Sequence, residues 1–139
     1  MDTSFILEQT YQAPIDKVWH TLTTTGHMRV WYFPQLIKFE PTVGFDFVFT
    51  NEGSPYQKHW QVTQVEEGKK LAHSWMYNGY PGSSEVLFDL MAEGDNTRLL
   101  LTHMGLASFP QDPHFARQRF ENGWQQILGS NLKQYLETL

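Results

Sequence analysis

Residues 71–104 read LAHSWMYNGYPGSSEVLFDLMAEGDNTRLLLTHM. Three runs inside this stretch, Leu71–Tyr77, Glu85–Met91 and Arg98–Met104, alternate with a period of two, the repeat of a half-buried strand. Asn78-Gly79 and Glu93-Gly94-Asp95-Asn96 separate them, and Asn and Gly tolerate the positive φ that tight hairpins need. The stretch therefore predicts three consecutive antiparallel strands. Alternation also sorts the faces. Leu71, His73, Trp75 and Tyr77 share one face, as do Val86, Phe88 and Leu90, and then Leu99, Leu101 and His103. Glu85, Asp89, Arg98 and Thr102 fall opposite. The sorting assumes no bulge, since one extra residue flips every side chain beyond it.

Upstream, Leu36–Glu40, Phe45–Asn51 and Lys58–Val65 continue the period. Turns at Pro41–Gly44, Asn51–Pro55 and Glu66–Lys69 join them into a meander. Phe47 and Phe49, then Trp60 and Val62, are the expected inward pairs. Before the meander, Phe5–Tyr11 reads as a strand. Pro14 suits a first helical position, where its missing N–H costs nothing. Ile15, Val18, Trp19 and Leu22 recur at helical spacing, so Pro14–Thr24 is predicted helical. Gly26 breaks it, and a shorter helix over His27–Trp31 stops before Pro34.

Downstream, Asp112 can cap a helix with Pro113 in its first turn. Phe120, Trp124, Ile127, Leu128, Tyr135 and Leu139 form a broad apolar stripe. From Asp112 to Glu137 such a helix is about 39 Å long at 1.5 Å per residue. It must bury its stripe on the concave face of the sheet. The fold expected is α+β of the helix-grip kind, strand, two helices, six strands and a long C-terminal helix, with space left between helix and sheet.

Composition narrows the function. The 139 residues suit one domain spanning 1–139. With no cysteine, a disulfide framework, a thiolate metal site and a cysteine nucleophile are all excluded. A net charge of −5 argues against a nucleic-acid binder, which needs a basic face. No apolar run reaches the roughly 18 residues of a membrane span, and the N-terminus lacks the basic start of a signal peptide, so a cytoplasmic protein is expected. Gly-x-Ser-x-Gly, the phosphate-binding loop, the dinucleotide glycine pattern and His-Glu-x-x-His are all missing. No cofactor and no metal are expected; His59 faces away from His73 and His103, which leaves three histidines without a common centre.

The motifs taken in order resemble a known family. Ala13-Pro14 with Val18-Trp19 and Leu22-Thr23 is similar to the opening of the SRPBCC superfamily, which has the START-like helix-grip fold. Trp31 with Pro34, the strand Leu71 to Trp75, Thr97-Arg98-Leu99 through Thr102-His103 with Gly105, and Gly123-Trp124, Leu128, Leu132 and Tyr135-Leu136-Glu137 resemble the branch named for the heat-shock-chaperone ATPase activator homologue. The resemblance covers nearly the whole chain. It implies a cavity for a small molecule or lipid, since members include hydrophobic-ligand carriers, polyketide cyclases and the chaperone activator itself. In the eukaryotic activator this fold is the C-terminal half. Its N-terminal half, which carries much of the chaperone contact, resembles nothing in this chain.

The expected ligand-binding walls are Trp31, Phe47, Phe49, Trp60, Trp75, Tyr77, Phe88, Leu101, Trp124 and Leu128. His73, His103 and Asn131 are the expected polar points, because a few polar groups converging in an aromatic space make a ligand pocket. Each also has a structural reading, as a buried polar group with a fixed partner. Gly123 and Gly129 inside the helix read as close helix-to-sheet approach or as room for a ligand. The function expected is binding of a small hydrophobic, lipid- or polyketide-like molecule. One alternative is a cyclase or hydrolase using His73 or His103 with an acid such as Glu40 or Asp46, although no catalytic residue is assigned. The other is a co-chaperone with a heat-shock chaperone as partner. An outer face carrying Ala72, Met76, Leu87, Leu100 and Thr102 would suit a homodimer if its apolar area is contiguous.

Overall fold

The computed structural model describes residues 4–50 and 57–138. Strand β1 (Phe5–Tyr11) leads into helices α1 (Ile15–Thr23) and α2 (Thr25–Trp31). A short ribbon follows, β2 (Leu36–Lys38) with β3 (Val48–Phe49), and then β4 (Lys58–His59), β5 (Val62–Glu66), β6 (Lys70–Tyr77), β7 (Ser84–Glu93) and β8 (Asn96–Met104). The main sheet has the order β1-β8-β7-β6-β4, with β5 also pairing β6, and every pairing is antiparallel. The chain closes with α3 (Arg117–Gln126), a π-helical segment (Ile127–Leu132) and α4 (Lys133–Thr138).

The central ladders run without a slip, so the inward rows form as alternation predicts. Leu71 pairs Phe88, Phe88 pairs Leu101, and Leu101 pairs Leu7. One step along, His73 pairs Val86, which pairs His103. All of these except the half-exposed Leu7 are buried. On the outer face Leu87, Leu100, Thr102 and Met76 are half-buried, but Ala72 is only 1% exposed. Its short side chain sits in a row between the longer Leu87 and Gln64.

Two strand expectations need correction. The strand expected over Lys58–Val65 is two strands broken at Trp60–Gln61. There the Gln61 N–H donates to the Ser74 hydroxyl at 2.9 Å, and the register against β6 slips between Val62 and Gln64. Trp60 and Val62 still point inward, two residues apart and both buried. The strand expected over Phe45–Asn51 is regular only at Val48–Phe49. Its earlier part is tied to residues 60–62 by Phe47 N–H to Trp60 O and Val62 N–H to Phe45 O, both 2.9 Å. The turn expected at Asn51–Pro55 lies outside the described residues.

The C-terminal helix differs at its start and in its pitch. Asp112 caps only a one-turn 3₁₀ helix, Pro113–Phe115, by accepting from His114 N–H at 2.9 Å. Ala116 is then extended, and α3 begins at Arg117. The buried stripe is Phe120, Trp124, Leu128, Leu132 and Leu136, one residue in four. A strict 3.6-residue helix would carry such a stripe steadily around its axis; the wider π turn at 127–132 turns it back toward the sheet. The Tyr11 hydroxyl donates to Leu128 O inside that turn at 2.8 Å. Ile127, Tyr135 and Asn131 lie off the stripe and are half-buried, and Leu139 lies outside the described residues. Asn131 Oδ1 accepts from Gln126 Nε2 at 2.9 Å on the same helix, so it is not an inward polar point.

The loop after β8 is fastened to the β6–β7 connection. Ser108 Oγ accepts from Ser83 N–H at 2.9 Å. Gly105 has φ +88°, and a Cβ there would stand 2.7 Å from Ser83 O. Gly105→Ala is expected to cost more than about 2 kcal/mol, from the left-handed backbone and the backbone collision together. A urea midpoint within error of the parent would refute this.

Candidate functional site

Two buried histidines lie in one row of the inward face, with Val86 between them. His73 Nδ1 is 2.8 Å from Ser74 O, an oxygen that can only accept, so Nδ1 carries the proton. Its Nε2 accepts from the Tyr32 hydroxyl at 3.0 Å. The Trp60 ring stacks on it at 4.8 Å. For His103 the tautomer is reversed. Trp124 Nε1–H can only donate, and it reaches His103 Nδ1 at 3.0 Å. His103 Nε2–H therefore donates to Ser84 Oγ at 2.8 Å, and Ser84 passes its own hydrogen to Trp75 O at 2.8 Å.

Burial pushes the His73 pKa down to about 4, with the Ser74 carbonyl opposing. It pushes His103 down to about 3, with the charge of His73 adding to the effect. Both rings are neutral at pH 7, and all four nitrogens have protein partners. Neither holds a lone pair toward a substrate, which is what a general base requires. The acids considered for such a pair are on the surface. Asp46 Oδ1 accepts from Gln61 Nε2 at 3.1 Å, and Glu40 lies 3.9 Å from Lys38. His59 is also exposed. Among the described residues no group of three or more His, Asp or Glu side chains is placed to hold a metal ion.

The open space lies beside this network. A cavity of about 290 Å³ sits between α3 and the end of β6. Trp75 and Tyr77 form its sheet wall, and Phe120, Trp124 and Ile127 its helix wall. Phe33, from the loop after α2, closes one side, and Lys58, His114 and Arg119 border the mouth. Gly123 borders it, and a Cβ added there would meet nothing within 4 Å. At Gly129 an added Cβ would come within 3.2 Å of the Gln9 side chain, so close approach explains that glycine and not Gly123. The Trp75 indole N–H donates to the Tyr77 hydroxyl oxygen at 3.0 Å. Burial raises the Tyr77 pKa, against that bond and the Arg119 charge, so the phenol stays neutral. A larger hollow, about 550 Å³, is bordered only by residues 106–117, a single irregular segment with no sheet wall.

A family model described as Activator of Hsp90 ATPase homolog 1-like protein matches residues 12–137. The chain belongs to this family. Among solved structures it is similar to protein MLL2253 of Mesorhizobium loti, with 24% identity over 98% of each chain and a TM-score of 0.79. It is similar to CalU16 of Micromonospora echinospora at 27% identity and TM-score 0.73, covering 96% of this chain and 74% of that one. PFC0360w of Plasmodium falciparum, an HSP90 activator, shares the fold at 19% identity, TM-score 0.75 and 96% of each chain. No curated protein matches the sequence.

In this member of the Activator of Hsp90 ATPase homolog 1-like family, the residues expected at the site divide into two groups. Trp75, Tyr77 and Trp124 border the cavity. Trp31, Phe47, Trp60, His73, Phe88, Leu101, His103 and Leu128 are buried in the packing behind it, and Phe49 is half-buried beneath Lys58. Phe33, Lys58, His114, Arg119 and Ile127 complete the site without having been expected there. Phe120, expected only in the helix's apolar stripe, is a wall. The helix contributors could have been found from the Gly123-Trp124 pair, because Phe120 lies three positions before Gly123 and Ile127 four after it, on one helix face.

Proposed function

We propose that this protein binds a small apolar molecule in the cavity between α3 and β6. The observation that carries the reading is Gly123. Glycine in a helix interior is about 1 kcal/mol less stable than alanine. Here no neighbour within 4 Å forbids a side chain, and the glycine borders the aromatic-walled space. Walls that are mostly aromatic, with a few polar groups at the rim, are the usual make-up of a ligand pocket. The volume suits a compact ring system better than a long acyl chain. No helix among the described residues is long and apolar enough to cross a membrane, and we place the protein in the cytoplasm as a carrier or sensor.

Tryptophan fluorescence tests the reading, because Trp75 and Trp124 are in the walls. Titration with a panel of aromatic polyketides, flavonoids and fatty acids is expected to give a saturable change. Gly123→Leu, which puts a side chain into the space, is expected to weaken binding at least about tenfold without lowering the urea midpoint. Silence across the panel, or equal affinity in the variant, would sink the proposal. Family membership supports a second reading, stimulation of a heat-shock chaperone's ATPase. An unchanged chaperone turnover on adding this protein would retire it.

A further inference from the structure

We infer that the ligand of this cavity is a planar aromatic acid, seated with its rings against the wall that Trp75, Phe120 and Trp124 form and its anionic group at the mouth against Arg119 and Lys58. The inference rests on the cavity reading above and gives the occupant a chemistry. Its basis is a local reversal of charge. The chain as a whole carries −5, yet the described residues bordering this cavity include the two cations Lys58 and Arg119 and no carboxylate.

Both cations border the same cavity and both act on His114. Lys58 Nζ lies 4.7 Å from the centre of the Phe33 ring and 5.6 Å from that of Phe49, which keeps the ammonium over the aromatic rim. Arg119 stands one position before Phe120 on α3. The His114 ring lies 5.9 Å from that of Tyr77, and both Arg119 and Lys58 act on it electrostatically. His114 is held toward its neutral form first by burial and then by Arg119, with Lys58 adding and Asp112 opposing. The Asp112 carboxylate is already engaged by the His114 backbone N–H at 2.9 Å. Positive potential at the end of a low-dielectric, aromatic slot favours an anion there over a neutral group of the same shape. Guanidinium in particular matches a carboxylate with paired donors.

Anthracene-9-carboxylate and anthracene-9-carboxamide test this, since they share shape and differ in charge. Binding is read by quenching of tryptophan fluorescence. The acid is expected to bind at least about tenfold tighter than the amide, and the difference should shrink as salt is raised. In the Lys58→Gln/Arg119→Gln double variant the acid is expected to lose at least about tenfold more affinity than the amide does, which removes the preference. Loss of both ligands in Gly123→Leu places them in the cavity. Equal binding of acid and amide, or a preference for the acid that survives the double substitution, overturns the inference and leaves the cavity reading standing. Failure of both compounds to bind the parent protein overturns the two together. Palmitate, with the same charge on a flexible chain, is expected to bind more weakly; palmitate outbinding the anthracene acid would overturn the planar part.

Discussion

Taking this protein from pH 7 to pH 4.5 is expected to remove about 5 kcal/mol of its stability. His73 and His103 are held neutral by burial, with folded pKa values of about 4 and about 3 against 6.5 for an exposed histidine. Between those limits the unfolded chain binds protons that the folded chain does not. Stability therefore falls as pH falls below 6.5, by about 1.36 kcal/mol per pH unit for each histidine. The contribution is fully present above pH 6.5, and the loss ends only below the folded pKa values. Set against the 5–15 kcal/mol of an ordinary domain, a loss of this size brings a domain at the low end of that range to its unfolding midpoint near pH 4.5 and leaves one at the upper end folded. Urea midpoints measured at half-unit steps from pH 7 to 4.5 check the slope. Long-range nitrogen NMR checks its cause. His73 should appear protonated at Nδ1 and His103 at Nε2, both unchanged down to pH 5. An imidazolium signal from either ring in the folded protein at pH 5.5 would overturn the account.

The second large effect is at Trp124. Trp124→Ala is expected to cost about 4–5 kcal/mol, the upper part of the range for emptying a large buried aromatic site. Two losses combine there. The indole is 1% exposed and packs against Phe88 and Trp75, at 5.9 and 5.5 Å between ring centres. Its N–H is also the donor that satisfies His103 Nδ1. Trp124→Phe separates the two, keeping most of the packing and deleting the donor. It should cost about 1–3 kcal/mol for an orphaned buried acceptor. The missing donor had favoured the neutral ring, so the His103 pKa should rise in this variant and the acid slope should flatten. A Phe variant as stable as the parent, with an unchanged acid slope, would show that the hydrogen bond is dispensable.

The central strands were legible because their information is local. In β6, β7 and β8 the side chains alternate, the hairpins carry Gly at positive φ, and no slip interrupts the ladders. Leu71, His73, Phe88, Leu101 and His103 could therefore be assigned to one face from their spacing alone. The break between β4 and β5 was not legible. It depends on the Ser74 hydroxyl taking the Gln61 N–H, a contact between residues 13 positions apart. The helix stripe misled for a similar reason. A 3.6-residue period puts Asn131 beside Ile127 and Tyr135, whereas the π turn rotates Leu132 and Leu136 into the core. The site was half legible. Its aromatic walls follow from alternation, but its mouth gathers Phe33, Lys58, His114 and Arg119 from four separate segments. Charge and loop chemistry alone do not reveal that convergence.

Gly123 gives the cavity an evolutionary asymmetry. A glycine codon becomes an alanine codon by one base change, and alanine here would raise helix stability by about 1 kcal/mol while intruding on the cavity. Drift in a lineage that no longer needs the ligand is thus biased toward filling the space. Related chains are expected to divide at this helix position, with glycine where the cavity is used and larger residues where the fold serves another purpose. A single column of a family comparison would then sort the ligand binders from the rest.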